Sequence, residues 1–218
     1  MNLVKGVLFG EKHSYTDFRL ILNSKDISFP EPKTYVVDVP CADGQLDLST
    51  ALTGGDIKYK NRKIKLEFTA LKSWNELEML RSTLTNHLHG KIMKVIFDAD
   101  AESYYSGRCT ITNFSTSKLP ATLTIEVDAE PYKFNIEETV VIENVIGEKT
   151  IYIDDQLMKV VPTITASNNM TVTHKNKTHQ LYAGDNIIPE IMLSSMEENE
   201  LTFIGDGMVT IRFRGGEL

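Results

Sequence analysis

Residues 73–90, S-W-N-E-L-E-M-L-R-S-T-L-T-N-H-L-H-G, are the one stretch of this chain with a sustained helical period. Trp74, Leu77, Leu80, Leu84 and Leu88 recur at spacings of three and four, an apolar stripe that requires burial. Ser73 and Glu76 have capping-box spacing, and Gly90 supplies a left-handed stop. His87 and His89 lie in the last turn, where a cationic imidazole interacts favourably with the helix dipole. At 1.5 Å per residue the rod spans roughly 24 Å, enough to cover one face of a small sheet. The rest reads as strands and turns, so the first half is expected to be a sheet with a single helix laid across it.

Cysteine usage and charge narrow the class further. Cys41 and Cys109 stand far apart with no C-x-x-C, which points to two reduced thiols rather than a disulfide framework or a zinc site. The opening M-N-L-V-K-G-V-L-F-G is too short and broken for a signal-peptide core, and no run approaches a membrane span. A soluble protein folded in a reducing cytoplasm is the expectation. Residues 1–136 carry 17 Lys+Arg and 17 Asp+Glu; residues 137–218 carry 6 and 13, the whole net charge of −7. A neutral half joined to an acidic one suggests two domains with different neighbours, 1–136 and 137–218, and argues against DNA binding by the second.

In the first half, strands are expected at residues 17–22, 34–39, 46–49, 91–97, 104–112 and 121–129. The pattern also predicts a local hairpin, Ile57–Lys60 with Lys63–Leu66 around Asn61-Arg62. That register places Lys58, Lys60, Lys63 and Lys65 on one face, a candidate docking stripe for an acidic partner. Asp98, Asp100 and Glu102 imitate the start of a calcium loop, but Ser103 and Cys109 occupy the positions that need Gly and Glu, so no metal is assigned. The Ala129-Glu130-Pro131-Tyr132 exit marks the end of a β-rich α+β domain, a barrel with one helix packed over it.

The second half offers short strand candidates at regular intervals, the pattern of an antiparallel sandwich. A turn at Asn176-Lys177 would pair His174 with His179, Val172 with Leu181 and Met170 with Ala183. Two facing imidazoles could bind a metal, but no third ligand is evident, and none is assigned. Nucleophile elbow, Walker loop, H-E-x-x-H and dinucleotide glycine fingerprint are all missing, so neither an enzyme nor a cofactor is expected.

The order of features resembles the distal tail (Dit) proteins of siphophages and prophages of Gram-positive bacteria. The resemblance rests on A-D-G-Q-L-D-L-S at residues 42–49 and R-K-I-K-L-E-F at 62–68. It continues through the helix, the strand pair containing Tyr105-Ser106-Gly107-Arg108, the A-E-P-Y-K exit at 129–133, and Gly205-Asp206-Gly207 before the last strand. It implies a mainly β protein: an N-terminal split β-barrel that assembles six copies into a ring, with a C-terminal galectin-like β-sandwich. Such a ring is a structural hub in the virion tail, joining the tail tube protein to the tail-associated tip protein, with DNA only passing through its channel and no membrane contact. The competing expectation is a lectin-like, carbohydrate-binding host-recognition protein. His174-Lys175-Asn176 matches part of a galectin H-x-N-x-R motif, although Thr178 stands where Arg would be. His174, Asn176 and Tyr182 are the candidate glycan contacts, with Tyr182 able to stack on a sugar.

Overall fold

Strand β6 (Arg62–Ala70) is the axis of the first half in the computed structural model, which describes residues 5–154, 156, 158–194 and 199–218. Its sequence alternates strictly. Ile64, Leu66, Phe68 and Ala70 face inward and are fully buried, while Lys63 and Lys65 face outward. A strand whose inward face is apolar apart from Arg62 at its start is stable between two neighbours, and β6 has both. It pairs antiparallel with β9 (Ala121–Asn135) along its whole length and with β3 (Leu20–Ile27) on its other edge.

Around this axis the sheet runs β2 (Lys12–His13), β1 (Val7–Phe9), β7 (Ile92–Phe97), β8 (Asp100–Ser115), β9, β6, β3, curled into a half-barrel. Helix α1 (Trp74–Leu88) packs against β8 and closes the concave side. Leu77, Leu80, Leu84 and Leu88 enter one core with Phe9, Phe68, Leu123 and Ile125. Trp74 does not follow them: it is 52% exposed. It sits in the first turn, about 75° from the centre line of the leucine stripe. Glu76 anchors the helix start by accepting from the Ser73 N–H at 3.1 Å and the Ser73 hydroxyl at 2.6 Å. Gly90 takes the left-handed φ of +79° and donates to Cys109 O.

The expected hairpin at residues 57–66 does not form. Both edges of β6 are occupied by strands distant in sequence, so residues 57–60 have no place beside it. They pair instead with residues 31–33: Lys33 N donates to Lys58 O at 2.7 Å and Lys60 N to Glu31 O at 2.8 Å. This short ladder is the base of an arm. Beyond it, β4 (Val36–Asp38) and β5 (Gln45–Asp47) form a separate two-stranded ribbon, hydrogen-bonded to no other strand among the described residues.

The chain divides into two compact units, one ending at Lys133 and the other starting at Phe134. The second unit is organised by a ribbon of two 14-residue strands, β10 (Thr139–Tyr152) and β15 (Glu200–Phe213), paired along their full length. The other edge of β15 is shared. Its first part carries β12 (Met170–His174), itself paired to β13 (Lys177–Leu181), and its last part carries β11 (Thr163–Ala166), paired to β14 (Gly184–Ile187). Gly205 and Gly207, at φ +144° and +149°, lie between the two parts and let the strand continue where an interruption was expected. Val145, Ile164, Val172, Leu181, Phe203 and Ile211 then share one core, so both parts enclose the same interior. At the end of the chain, β16 (Gly216–Glu217) follows Gly215, whose carbonyl accepts from Asn135 N at 3.0 Å.

Candidate functional site

The β4–β5 arm is a continuous exposed stretch of the first unit that carries apolar side chains. Every residue from Glu31 to Leu48 is exposed except Val37, which is half-buried. Register pairs Val37 with Leu46, and Leu48 N donates to Tyr35 O. Strand alternation then puts Tyr35, Val37, Val39, Leu46 and Leu48 on one face and Val36, Asp38, Gln45 and Asp47 on the other. An isolated two-stranded hairpin is marginal in water, and an amphipathic one is a surface lacking its complement. Leu52 is fully exposed and Phe29 93% exposed, which extends the apolar character toward both ends of the arm. The alternation of residues 35–39 and 44–48 was visible in the sequence. That no other strand covers it was not.

A second feature of this unit is a groove of about 220 Å³ between α1 and β8, lined by Arg81, Leu84, Thr85, His89, Ile111 and Phe114. Leu84 forms its buried floor, and the Arg81 guanidinium lies 5.2 Å over the Phe114 ring. His89 helps to hold the two walls in register, its Nδ1 accepting from Ile111 N at 3.1 Å. Lys91 donates to Asn86 O and Arg108 to Gly90 O, so two cations also fasten the end of the helix. His87 is likewise engaged in tertiary structure, donating Nε2–H to Phe9 O at 3.1 Å, with its ring against Phe18. The groove joins side chains about 30 residues apart in sequence, and no local pattern announces it.

The four lysines expected to share one face are distributed otherwise. Lys63 and Lys65 project outward from β6 toward Asp128 (3.4 Å) and Glu67 (2.9 Å). Lys58 and Lys60 belong to the base of the arm, near Asp56 (3.8 Å) and Glu31 (3.0 Å). Each lysine thus has a carboxylate of its own chain, and only Lys63 and Lys65 share a strand face.

The β12–β13 hairpin turns one residue earlier than expected. Lys175 and Asn176 both adopt positive φ, 49° and 62°, the geometry a tight primed turn demands. This pairs His174 with Lys177, and Val172 with His179, so the two imidazoles are not opposite one another. Met170 pairs with Leu181, and Ala183 is exposed. His174 turns into the core, only 2% exposed, with Nδ1 3.0 Å from Glu200 O. That burial withdraws it from any sugar-facing surface. Asn176 and Tyr182 remain exposed, Tyr182 by 65%.

Titratable groups elsewhere have structural duties. Asp98 accepts from Gly6 N at 2.6 Å and faces His13 at 3.1 Å. Asp100 is held below the usual carboxylate range by the Ser103 hydroxyl and by Lys133. Tyr132 is shifted upward by burial and by nearby Tyr59 and Asp56. Burial pushes the Cys109 thiol up to about 12, whereas Cys41 is exposed in the arm. Among the described residues no group of three or more His, Cys, Asp or Glu side chains could hold a metal, and no helix is long and apolar enough to cross a membrane.

No family model and no curated protein sequence matches the chain. A solved structure does: SPP1 Dit (gp 19.1), described as a paradigm of the hub adsorption apparatus in phages infecting Gram-positive bacteria. The match has a TM-score of 0.68 at 12% identity, covering 97% of this chain and 99% of that one. Across nearly its whole length, therefore, this mainly β chain has the fold of the SPP1 Dit protein.

Proposed function

We propose that the chain is a structural hub of a phage tail, resident in the virion of a phage or prophage of Gram-positive bacteria. The observation that carries this reading is the length of the match: 97% of one chain aligned with 99% of the other. On this reading residues 1–136 form the ring-building domain, and residues 137–218 are an outward, galectin-like domain. Six copies close a ring between the tail tube protein and the tail-associated tip protein, and DNA passes through it. The arm is the kind of surface such assembly uses, an apolar face that one copy leaves open. Lys63 and Lys65, side by side on β6, are the members of the lysine set best placed to meet an acidic partner.

The test is mass in solution. Light scattering of the purified chain should give about six times the 24.6 kDa of one copy, with rings in negative-stain micrographs. A species that stays at one-copy mass at high concentration would refute the ring. Binding of cell-wall polysaccharide by the full chain, lost on Tyr182→Ala, would instead favour glycan recognition.

A further inference from the structure

We propose that the apolar face of the β4–β5 ribbon in one copy seats in the groove between α1 and β8 of the next copy. The inference rests on the hub reading and identifies the two surfaces that would build the ring. The ribbon presents Tyr35, Val39, Leu46 and Leu48 exposed on one side, with Val37 half-buried among them. The groove presents an apolar floor and wall, Leu84, Ile111 and Phe114, in a space of about 220 Å³. An apolar strip and an apolar cleft are complementary in chemistry.

Charge selects a second copy as the occupant. Residues 34–57 contain four aspartates, Asp38, Asp43, Asp47 and Asp56, and no lysine or arginine. The stretches of chain next to the groove lining have the opposite balance. Residues 79–97 and 103–125 contain no Asp or Glu but include Arg81, Lys91, Lys94, Arg108 and Lys118. Glu78, exposed, lies 3.8 Å from Arg81. An anionic ribbon is thus drawn to a cationic rim while its apolar face enters the cleft. Because ribbon and groove are different surfaces of the same chain, the contact is head-to-tail. Such contacts generate closed rings when the rotation between copies closes.

The arm carries its own probe. Cys41 is exposed near the ribbon tip and Cys109 is buried, so a thiol-reactive benzophenone labels Cys41 alone in the folded protein. Irradiation of the full chain, mixed with an isotopically heavy copy, should give cross-links between copies that map to residues 78–91 and 108–118. Two variants sharpen the test. Leu46→Ser with Leu48→Ser spoils the ribbon, and Thr85→Trp fills the groove from an exposed helical position. Each alone should reduce the assembled fraction at least tenfold. Mixed in equal amounts, they should form two-copy species, because one intact ribbon still meets one intact groove. If the wild type assembles but its cross-links map elsewhere or lie within one copy, or Thr85→Trp assembles normally, this contact is wrong and the hub reading stands. If the wild type does not assemble at all, the ring itself fails.

Discussion

Gly205 shows how much can depend on a single missing methyl group. A Cβ built there would lie 2.6 Å from the Met170 Cβ, and its φ of +144° is one that L side chains rarely adopt. Gly205→Ala therefore combines backbone strain with overpacking, each costing about 1–3 kcal/mol. A loss of at least about 2 kcal/mol in urea denaturation is expected, concentrated in the second unit. Leu84 poses the opposite problem in the first unit. It is fully buried beneath the groove, and Leu84→Ala should cost about 2–5 kcal/mol through lost burial and a residual cavity. A variant that unfolds at wild-type denaturant concentration would show that the helix is not seated on the sheet as described.

Helix α1 owes its defined start to one carboxylate. Glu76 is held down to about 2 by the Ser73 hydroxyl and N–H, and by Lys72 at 3.0 Å. A depressed folded value means that its stabilisation is fully present above its ordinary pKa of 4.5 and is lost as pH falls toward 2. Glu76→Gln should therefore flatten the pH dependence of the denaturation midpoint between those values and change little below them. An unchanged slope would show that the anchor contributes nothing in solution. The arm makes the contrasting case of an element that the core does not use. No buried core residue lies between Leu20 and Ile64. Replacing residues 34–57 by a short Gly-Ser turn should leave the melting temperature within about 2 °C of wild type, since shifts scale with lost burial. The same variant should remain at one-copy mass, and light scattering checks both halves of the claim on one sample.

At the scale of the whole molecule, two cores serve two sheets; the ribbon proposed for assembly lies outside both, and the proposed groove is floored by Leu84 of the first. The first core ties α1 to the half-barrel, and the second sits within the folded β10–β15 assembly. The arm and the groove rim are consequently free to vary without loss of fold. Only 12% of residues match in SPP1 Dit despite near-complete alignment, as expected when a fold rests on apolar pattern and turn geometry rather than on fixed side chains.

What the sequence determined by itself was local and periodic. The helix declared itself by its leucine spacing, its Ser73–Glu76 start and its glycine stop, and the inward face of β6 by strict alternation. Tertiary structure decided which strands meet. Residues 57–66 have every local signal of a hairpin, but burying Ile64, Leu66 and Phe68 on a central strand between β3 and β9 removes far more apolar surface from water than a two-stranded ribbon could. His174 was displaced for a related reason. Two positive-φ residues at the turn changed its partner from His179 to Lys177, while alternation kept the imidazole on the buried face with Met170 and Val172. The groove at Arg81 and Phe114, and the lack of any cover on Leu46, depend on contacts remote in sequence. Periodicity reports which side of an element is apolar; only the folded chain decides whether anything is there to meet it.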